Sequence, residues 1–301
     1  MNKAIYSVIV TYNGSAWIKV CLGSFEKNHN IIVVDNASED NTIDLVKDHF
    51  PEVHLIKSEV NLGFGAANNI GIKYALKQGA DYVFLLNQDA WIQKGTLELL
   101  KHALEKNNEY GVISPIHLNG TGEMLDHNFG DYLYNKGGRK FITDKILGRT
   151  SKSLIDIDFV NAAAWLLSRK CIEKVGFFDP LFFQYGEDDN YLQRVKYYSF
   201  KIGILTSAFI YHDREGNINS HIKADFNSKL KVYKRKWADV NEIESIILKD
   251  IRKVVIKKTK HVWFSLLTLN MEGFKRLKQE RKELKKVGNL CLESRKKNMT
   301  R

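Results

Sequence analysis

In Val83-Phe84-Leu85-Leu86-Asn87-Gln88-Asp89, four apolar residues run without interruption into two amides and a carboxylate. A run this short and this apolar reads as a buried strand with its polar residues at the carboxyl edge. Val8-Ile9-Val10-Thr11-Tyr12-Asn13 and Val33-Val34-Asp35-Asn36-Ala37-Ser38 have the same form upstream. Rich in Val, Ile, Leu and aromatic residues, the chain predicts strands at about residues 5–11, 31–35, 53–57, 82–86 and 111–116. Helical spacing fills the intervals over residues 63–78 and 95–106, and a further helix follows Ser38-x-x-Asn41. This rhythm is that of βα units building an α/β fold around a mainly parallel central sheet. Ligands of such sheets bind beyond the carboxyl ends of the strands, so the polar residues there are the ones to follow.

Residues 119–153 are rich in Gly, Asn, Asp and Lys and lack sustained periodicity, which predicts a long loop or mobile flap. Strand character resumes over 156–165, helices are expected over 168–175 and 187–198, and two more strands follow. From His221 the chain reads as helical to its end. That tail holds 23 lysines and arginines against 9 acids, a net +14 in a chain of net +11, so the first 220 residues carry −3. A basic end suits an anionic membrane surface or nucleic acid. Trp237, Trp263, Phe264 and Phe274 stand among the lysines at helical spacing, which favours a packed amphipathic face over nucleic-acid binding. A merely solvated charged face is the plain alternative.

The 44% hydrophobic content supports a substantial core. No apolar run reaches the roughly 18 residues of a spanning helix. The start lacks the apolar segment and small-residue cleavage site of a signal peptide, and Cys21, Cys171 and Cys291 are far apart. Together these predict a cytoplasmic protein with reduced thiols.

Several strand ends carry chemistry. Asp35 can accept from a nucleobase or a ribose, or cap the next helix together with Ser38. Asn61-Leu62-Gly63-Phe64-Gly65, running on to Asn68-Asn69, feeds a helix through a turn where backbone can approach a phosphate, although tight helix packing explains the glycines as well. Asp89 after a buried strand suits Mg or Mn. His212, in Tyr211-His212-Asp213, is a second candidate ligand. Phe182-Phe183-Gln184-Tyr185-Gly186-Glu187-Asp188-Asp189 sets three carboxylates after an aromatic run, where capping, a cation or a role as general base can account for them.

Taken in order, residues 8–13, 33–38, 61–71, 85–89, 159–163 and 182–194 resemble the family 2 glycosyltransferases, over about residues 4–215. The Asn-Leu-Gly-Phe-Gly stretch and the acidic cluster with its following Arg194 look like the branch that contains rhamnosyltransferases. The resemblance implies the GT-A nucleotide-sugar-binding fold over residues 1–220, divided into a nucleotide-binding half at 1–118 and an acceptor-binding half at 119–220. A helical basic region follows at 221–301. It implies nucleotide contacts from Thr11, Tyr12, Asn13, Asp35, Asn36, Asn61, Gly63, Asn68 and Asn87, with Mn or Mg held by Asp89 and His212. Asp188 becomes the base that activates the acceptor, and Glu187 orients that acceptor. The family's Asp-x-Asp motif reads Asn87-Gln88-Asp89 here, so Asn87 brings no charge and Asp89 is the main metal carboxylate. The implied activity is inverting transfer of a sugar from a UDP- or dTDP-sugar, dTDP-rhamnose among them, to a hydroxyl of a saccharide or lipid-linked acceptor in cell-surface polysaccharide synthesis. Nucleic acid is not among the implied partners, and a peripheral contact with an anionic membrane is. The departure at Asn87 leaves open a second class, a silent nucleotide-sugar-binding protein of the same fold, which turnover of a donor would distinguish.

Overall fold

The computed structural model describes residues 3–134, 136–150, 152–213 and 225–300. Two compact units divide the chain, Met1–Asn219 and Ser220–Arg301.

The first unit is built on a nine-stranded sheet. Its strands are β1 (Ile5–Thr11), β2 (Asn30–Asp35), β3 (His54–Lys57), β4 (Tyr82–Asn87), β5 (Ala90–Ile92), β6 (Tyr110–Asn119), β7 (Leu154–Asp156), β8 (Ala164–Ser168) and β9 (Lys201–His212). They lie in the order β3-β2-β1-β4-β8-β6-β9-β5, with β7 also on β9. The expected parallel block is present as β3-β2-β1-β4, and β6 and β9 are parallel as well. The intervening β8 and the short edge strands β5 and β7 pair antiparallel.

Both faces of the sheet are covered, which is why its central strands are near-continuous apolar runs. Alternate residues of one strand enter different cores: Val8 joins one cluster, Ile5 and Ile9 the other. The first cluster packs Val8, Val34 and Leu85 against α3 (Phe64–Lys77), α7 (Arg169–Val175) and α8 (Glu187–Tyr197). The second packs Ile9, Val33 and Phe84 against α1 (Ile18–Gly23), α2 (Thr42–His49) and α4 (Thr96–Lys106). A Cβ on Gly71 would come within 2.3 Å of Val8, so this glycine lets α3 lie directly on β1.

Three expectations need correction. Residues 119–153 are not one loop, because they contain α5 (Phe129–Tyr132) and α6 (Lys136–Ile146). Gly137-Gly138 read as loop signals, but a Cβ on Gly138 would meet the Leu133 carbonyl at 2.2 Å, so the glycine serves a close approach. The strand expected over 156–165 is two short ones, β7 and β8, which bracket the stretch. The two late strands are the single β9, whose pairing with β6 shifts register between Pro115 and Ile116.

The second unit is helical: α9 (Phe226–Trp237), α10 (Glu244–Leu267) and α11 (Met271–Met299). The expected start of that region at residue 221 lies outside the described residues. Trp237 is fully buried, stacks on Tyr233 at 4.7 Å and donates its Nε1 proton to Asp250 at 2.8 Å. No helix among the described residues is long and apolar enough to cross a membrane. All three cysteines are buried and unpaired with one another. Burial pushes the Cys171 thiol up to about 12, far from reactive thiolate chemistry.

Candidate functional site

Because β1, β2 and β4 are parallel neighbours in register, Thr11 sits level with Asp35 and Val10 level with Asn87. Three polar strand ends thus meet at one edge. A cleft of about 240 Å³ opens there, lined by residues that include Tyr12, Asn36, Asn61, Gly63, Asn87, Asp89 and Gln184.

Much of the polar character at this edge builds the wall of the cleft. Gln88 accepts from Thr11 Oγ1 at 2.8 Å and from the Tyr12 amide at 2.9 Å, and its own amide donates to the Tyr12 carbonyl at 3.1 Å. Gly14 leaves room for this clamp, since a Cβ there would lie 2.3 Å from Gln88 Oε1. Asn13 accepts from the Glu39 amide at 2.8 Å. Asn36 donates to Asn61 at 2.9 Å and accepts from the Leu62 amide at 2.8 Å, holding the loop that leads into α3. Gly63, at φ 79°, is the point where the 182–186 loop crosses: a Cβ would sit 2.0 Å from the Phe183 carbonyl. Asn68 is buried in α3 and donates to the Phe64 carbonyl at 3.0 Å.

Of the nine residues expected to contact the nucleotide, Tyr12, Asn36, Asn61, Gly63 and Asn87 therefore line the cleft. The side chains of Thr11, Asn13 and Asn68 serve internal bonds. Asp35 is buried at the end of β2 and accepts from the Ser38 amide at 3.2 Å through Oδ2. Among the described residues neither Asp35 Oδ1 nor Asn87 Oδ1 has a hydrogen-bond partner, although both are buried. A buried acceptor without a donor costs about 1–3 kcal/mol. Two such atoms, at the ends of β2 and β4 on either side of β1, are suited to donors on a ligand.

Asp89 and His212, more than 120 positions apart in the chain, are brought together by an antiparallel pair. Gln88 and Asp89 form the turn from β4 into β5, and Ala90 of β5 pairs with His212 of β9. His212 Nε2 lies 3.3 Å from Asp89 Oδ1, and its Nδ1 lies 3.1 Å from Asp126 Oδ2. The Asp213 amide donates to the Asp89 carbonyl at 2.9 Å, and Trp17 Nε1 donates to Asp213 at 3.0 Å. Asp126 is buried and set by its backbone, its amide donating to the His117 carbonyl at 2.9 Å. Asp126 beside Nδ1 and Asp89 beside Nε2 hold the imidazole between two carboxylates, a setting suited to orienting a histidine toward a cation. Asp126 escaped sequence reasoning because it lies in the stretch read as a flap. The only local hint was an acid eight residues beyond the end of an apolar strand core. Gln88 escaped too, as the middle position of the three-residue motif.

The acidic cluster opens α8 after Gly186, a left-handed N-cap at φ 101°. Glu187, Asp188 and Asp189 occupy its first turn, where the helix dipole favours negative charge. Glu187 is buried near Gly65 of α3, whose added Cβ would lie 3.5 Å from the Glu187 Cβ. Asp188 is half-buried and accepts from the Asp189 amide at 2.8 Å. Because the helix begins at Glu187, Asp189 is the third helical residue and not its cap. Arg194 is fully buried and donates to Asn190 and to the carbonyls of Val175 and Phe177, tying α8 to the end of α7.

Comparison with known proteins gives this geometry a context. The profile described as glycosyl transferase family 2 matches residues 7–175. The chain is 29% identical over 201 residues to the dTDP-rhamnosyl transferase RfbF of Shigella flexneri, covering 65% of each chain. It is 25% identical over 200 residues to the low-salt glycan biosynthesis hexosyltransferase Agl10 of Haloferax volcanii, covering 65% of this chain and 62% of that one. The match thus spans a little less than two thirds of either relative. Among solved structures it resembles GalNAc-T7 with UDP, GalNAc and Mn2+, with a TM-score of 0.55 at 16% identity over 70% of this chain and 44% of that chain. The fold is that of the GT-A glycosyltransferases.

Proposed function

The chain belongs to glycosyl transferase family 2, and from that premise we propose that it is an inverting, metal-assisted glycosyltransferase. Its donor is a UDP- or dTDP-sugar, and the rhamnosyl transferase among its relatives favours dTDP-rhamnose. The acceptor is a hydroxyl on a saccharide or lipid-linked saccharide of cell-surface polysaccharide synthesis. We assign residues 1–118 to donor binding, 119–220 to the acceptor side and 221–301 to attachment at a membrane surface. The observation that carries the reading is the Asp89–His212–Asp126 relay beside a cleft with unpartnered oxygens on Asp35 and Asn87.

Mn or Mg fits the donor set at the cleft. Asp89 and His212 would hold it from one side, with diphosphate oxygens and water completing the shell, as suits ions that keep few protein ligands. Among the described residues no group of three or more His, Cys, Asp or Glu is arranged to hold a metal ion. The bound UDP and Mn2+ of GalNAc-T7 are in keeping with this. A divalent cation there supplies positive charge against the leaving diphosphate.

The remaining work falls to side chains. Asp35 and Asn87 accept from the nucleoside, and Tyr12 flanks it. Asp188 accepts the proton of the acceptor hydroxyl as that oxygen bonds to the anomeric carbon. The bond from that carbon to the diphosphate oxygen breaks, and the nucleoside diphosphate departs with the electron pair. A single displacement inverts the anomeric centre. Glu187 orients the acceptor.

A thermal-shift series with UDP and dTDP, each with and without Mn2+, tests the donor site, since a ligand that binds the native state raises stability by mass action. One of the two diphosphates should stabilise the protein more with the metal, and Asp89→Ala should remove the increment. An unchanged metal increment in that variant would reject the cation assignment. Asn87, where an acid is expected, favours a second reading, a silent binding protein. Binding of the sugar nucleotide without any turnover across a panel of acceptors would support it.

A further inference from the structure

Helices α10 and α11 form a hairpin whose turn presents apolar side chains outward. Trp263, Phe264 and Leu267 stand on one face of the last turns of α10, with Val262 and Ser265 buried behind them. Leu269 follows in the turn and Met271 opens α11, and the five are 52–83% exposed. Leu269 is the most exposed of them, and it adopts φ 54°, a left-handed conformation unfavourable for a branched side chain. That conformation closes the end of α10, where the Leu269 amide donates to the Leu266 carbonyl at 3.1 Å and the Asn270 amide to the Ser265 carbonyl at 2.9 Å. Exposed Lys257, Lys260, Lys275, Arg276 and Lys278 flank the tip on both helices.

We propose that this hairpin apex is a membrane-insertion wedge that enters an anionic bilayer, with the flanking cations at the headgroups. The inference rests on the reading that the C-terminal unit attaches to a membrane, and it locates the contact. Charge complementarity selects the occupant, because a collar of cations behind an apolar tip matches a layered surface, anionic outside and hydrocarbon within. Trp and Phe are suited to that boundary. The convex tip also needs no preformed groove in its partner.

The full chain should be mixed with vesicles of phosphatidylcholine alone or with added phosphatidylglycerol, and partitioning followed by sedimentation. Wild type should bind the anionic vesicles. The variant Trp263→Ser/Phe264→Ser/Leu267→Ser/Leu269→Ser should bind at least tenfold more weakly at unchanged helical content. Bromolipid should quench an emission component that Trp263→Phe removes. No binding of wild type would overturn both the attachment and the wedge. Binding that the fourfold variant retains, with Trp263 unquenched, would overturn the wedge and leave the attachment standing. Vesicle-independent self-association of wild type, abolished in the fourfold variant, would put a second copy on the apex and reject the bilayer.

Discussion

In the N-terminal unit Trp165 and Phe84 are fully buried between sheet and helices, whereas in the C-terminal unit Trp263, Phe264 and Leu267 face solvent. The same residue types stand in the two environments, so hydrophobicity alone does not place a side chain. A parallel sheet must be covered on both faces, and each apolar residue of its strands finds a helix. A hairpin of two long helices has one shared seam. Residues off the seam are covered only if something else covers them. The first unit buries Trp165 and Phe84, and the second, which buries Trp237, leaves Trp263 and Phe264 in solvent.

The largest expected difference is therefore in unfolding. Trp165→Ala should lower stability by about 3–5 kcal/mol, while Trp263→Ala should change it by no more than about 0.5 kcal/mol. Urea denaturation followed by circular dichroism reads both, and similar losses would erase the contrast between the units.

Next in size is the proposed catalysis, assigned above to the first unit. Asp188→Asn should reduce turnover about 10²-fold or more with nucleotide affinity nearly intact. Asp189→Asn should cost far less, because that residue only sits within the first turn of α8. Greater damage from Asp189→Asn would move the base by one position. Neither change should alter vesicle binding.

A smaller effect is expected one contact away from the cation. Asp126→Asn should weaken Mn2+ affinity in the presence of nucleoside diphosphate by roughly 10–100-fold, the scale for a partner that orients a histidine ligand. Electron paramagnetic resonance of the unbound ion measures it, and Asp126→Glu should recover part of the loss. Unchanged affinity in Asp126→Asn would reduce this carboxylate to a packing element.

The smallest effect concerns acid. Burial pushes the Asp40 carboxyl up, but hydrogen bonds from Thr42 and Ser15 outweigh it and hold it at about 2, below its ordinary 3.8. A depressed carboxylate contributes stability above its unfolded value and loses it as pH falls through the folded one. Asp40→Asn should thus be less stable than wild type at neutral pH, and the gap should close between about pH 4 and 2. Asp40 is half-buried and still reached by solvent, so the gap stays at about 1 kcal/mol or less. A constant gap across that range would show that the bonds, and not the charge, matter.

Local pattern determined much of this protein. The apolar runs at 5–11, broken only by Ser7 before its polar end, and at 82–86 read as strands buried on both faces, which puts the polar residues that end them at the carboxyl edge. Asp89 was therefore visible as a candidate from its neighbours alone, as was the first turn of α8 from its three carboxylates. The charge of the tail and its apolar spacing were equally plain. What tertiary structure decided is partnership. Asp89 meets His212 only because β5 folds back onto β9, and Asp126 meets His212 only because the chain turns back after β6. No periodicity records a contact between residues so far apart in the chain. The family resemblance implies ligand contacts at Thr11, Asn13 and Asn68, and one dimension does not show the internal bonds these side chains also make. Their hydrogen bonds to Gln88, Glu39 and Phe64 exist only once the loops are closed. Likewise the spacing of Trp237, Trp263, Phe264 and Phe274 predicts a packed face, and Trp237 is indeed buried and Phe274 half-buried. Which face of α10 meets α11 is set by the pairing of the whole hairpin, and that pairing left Trp263 and Phe264 outside.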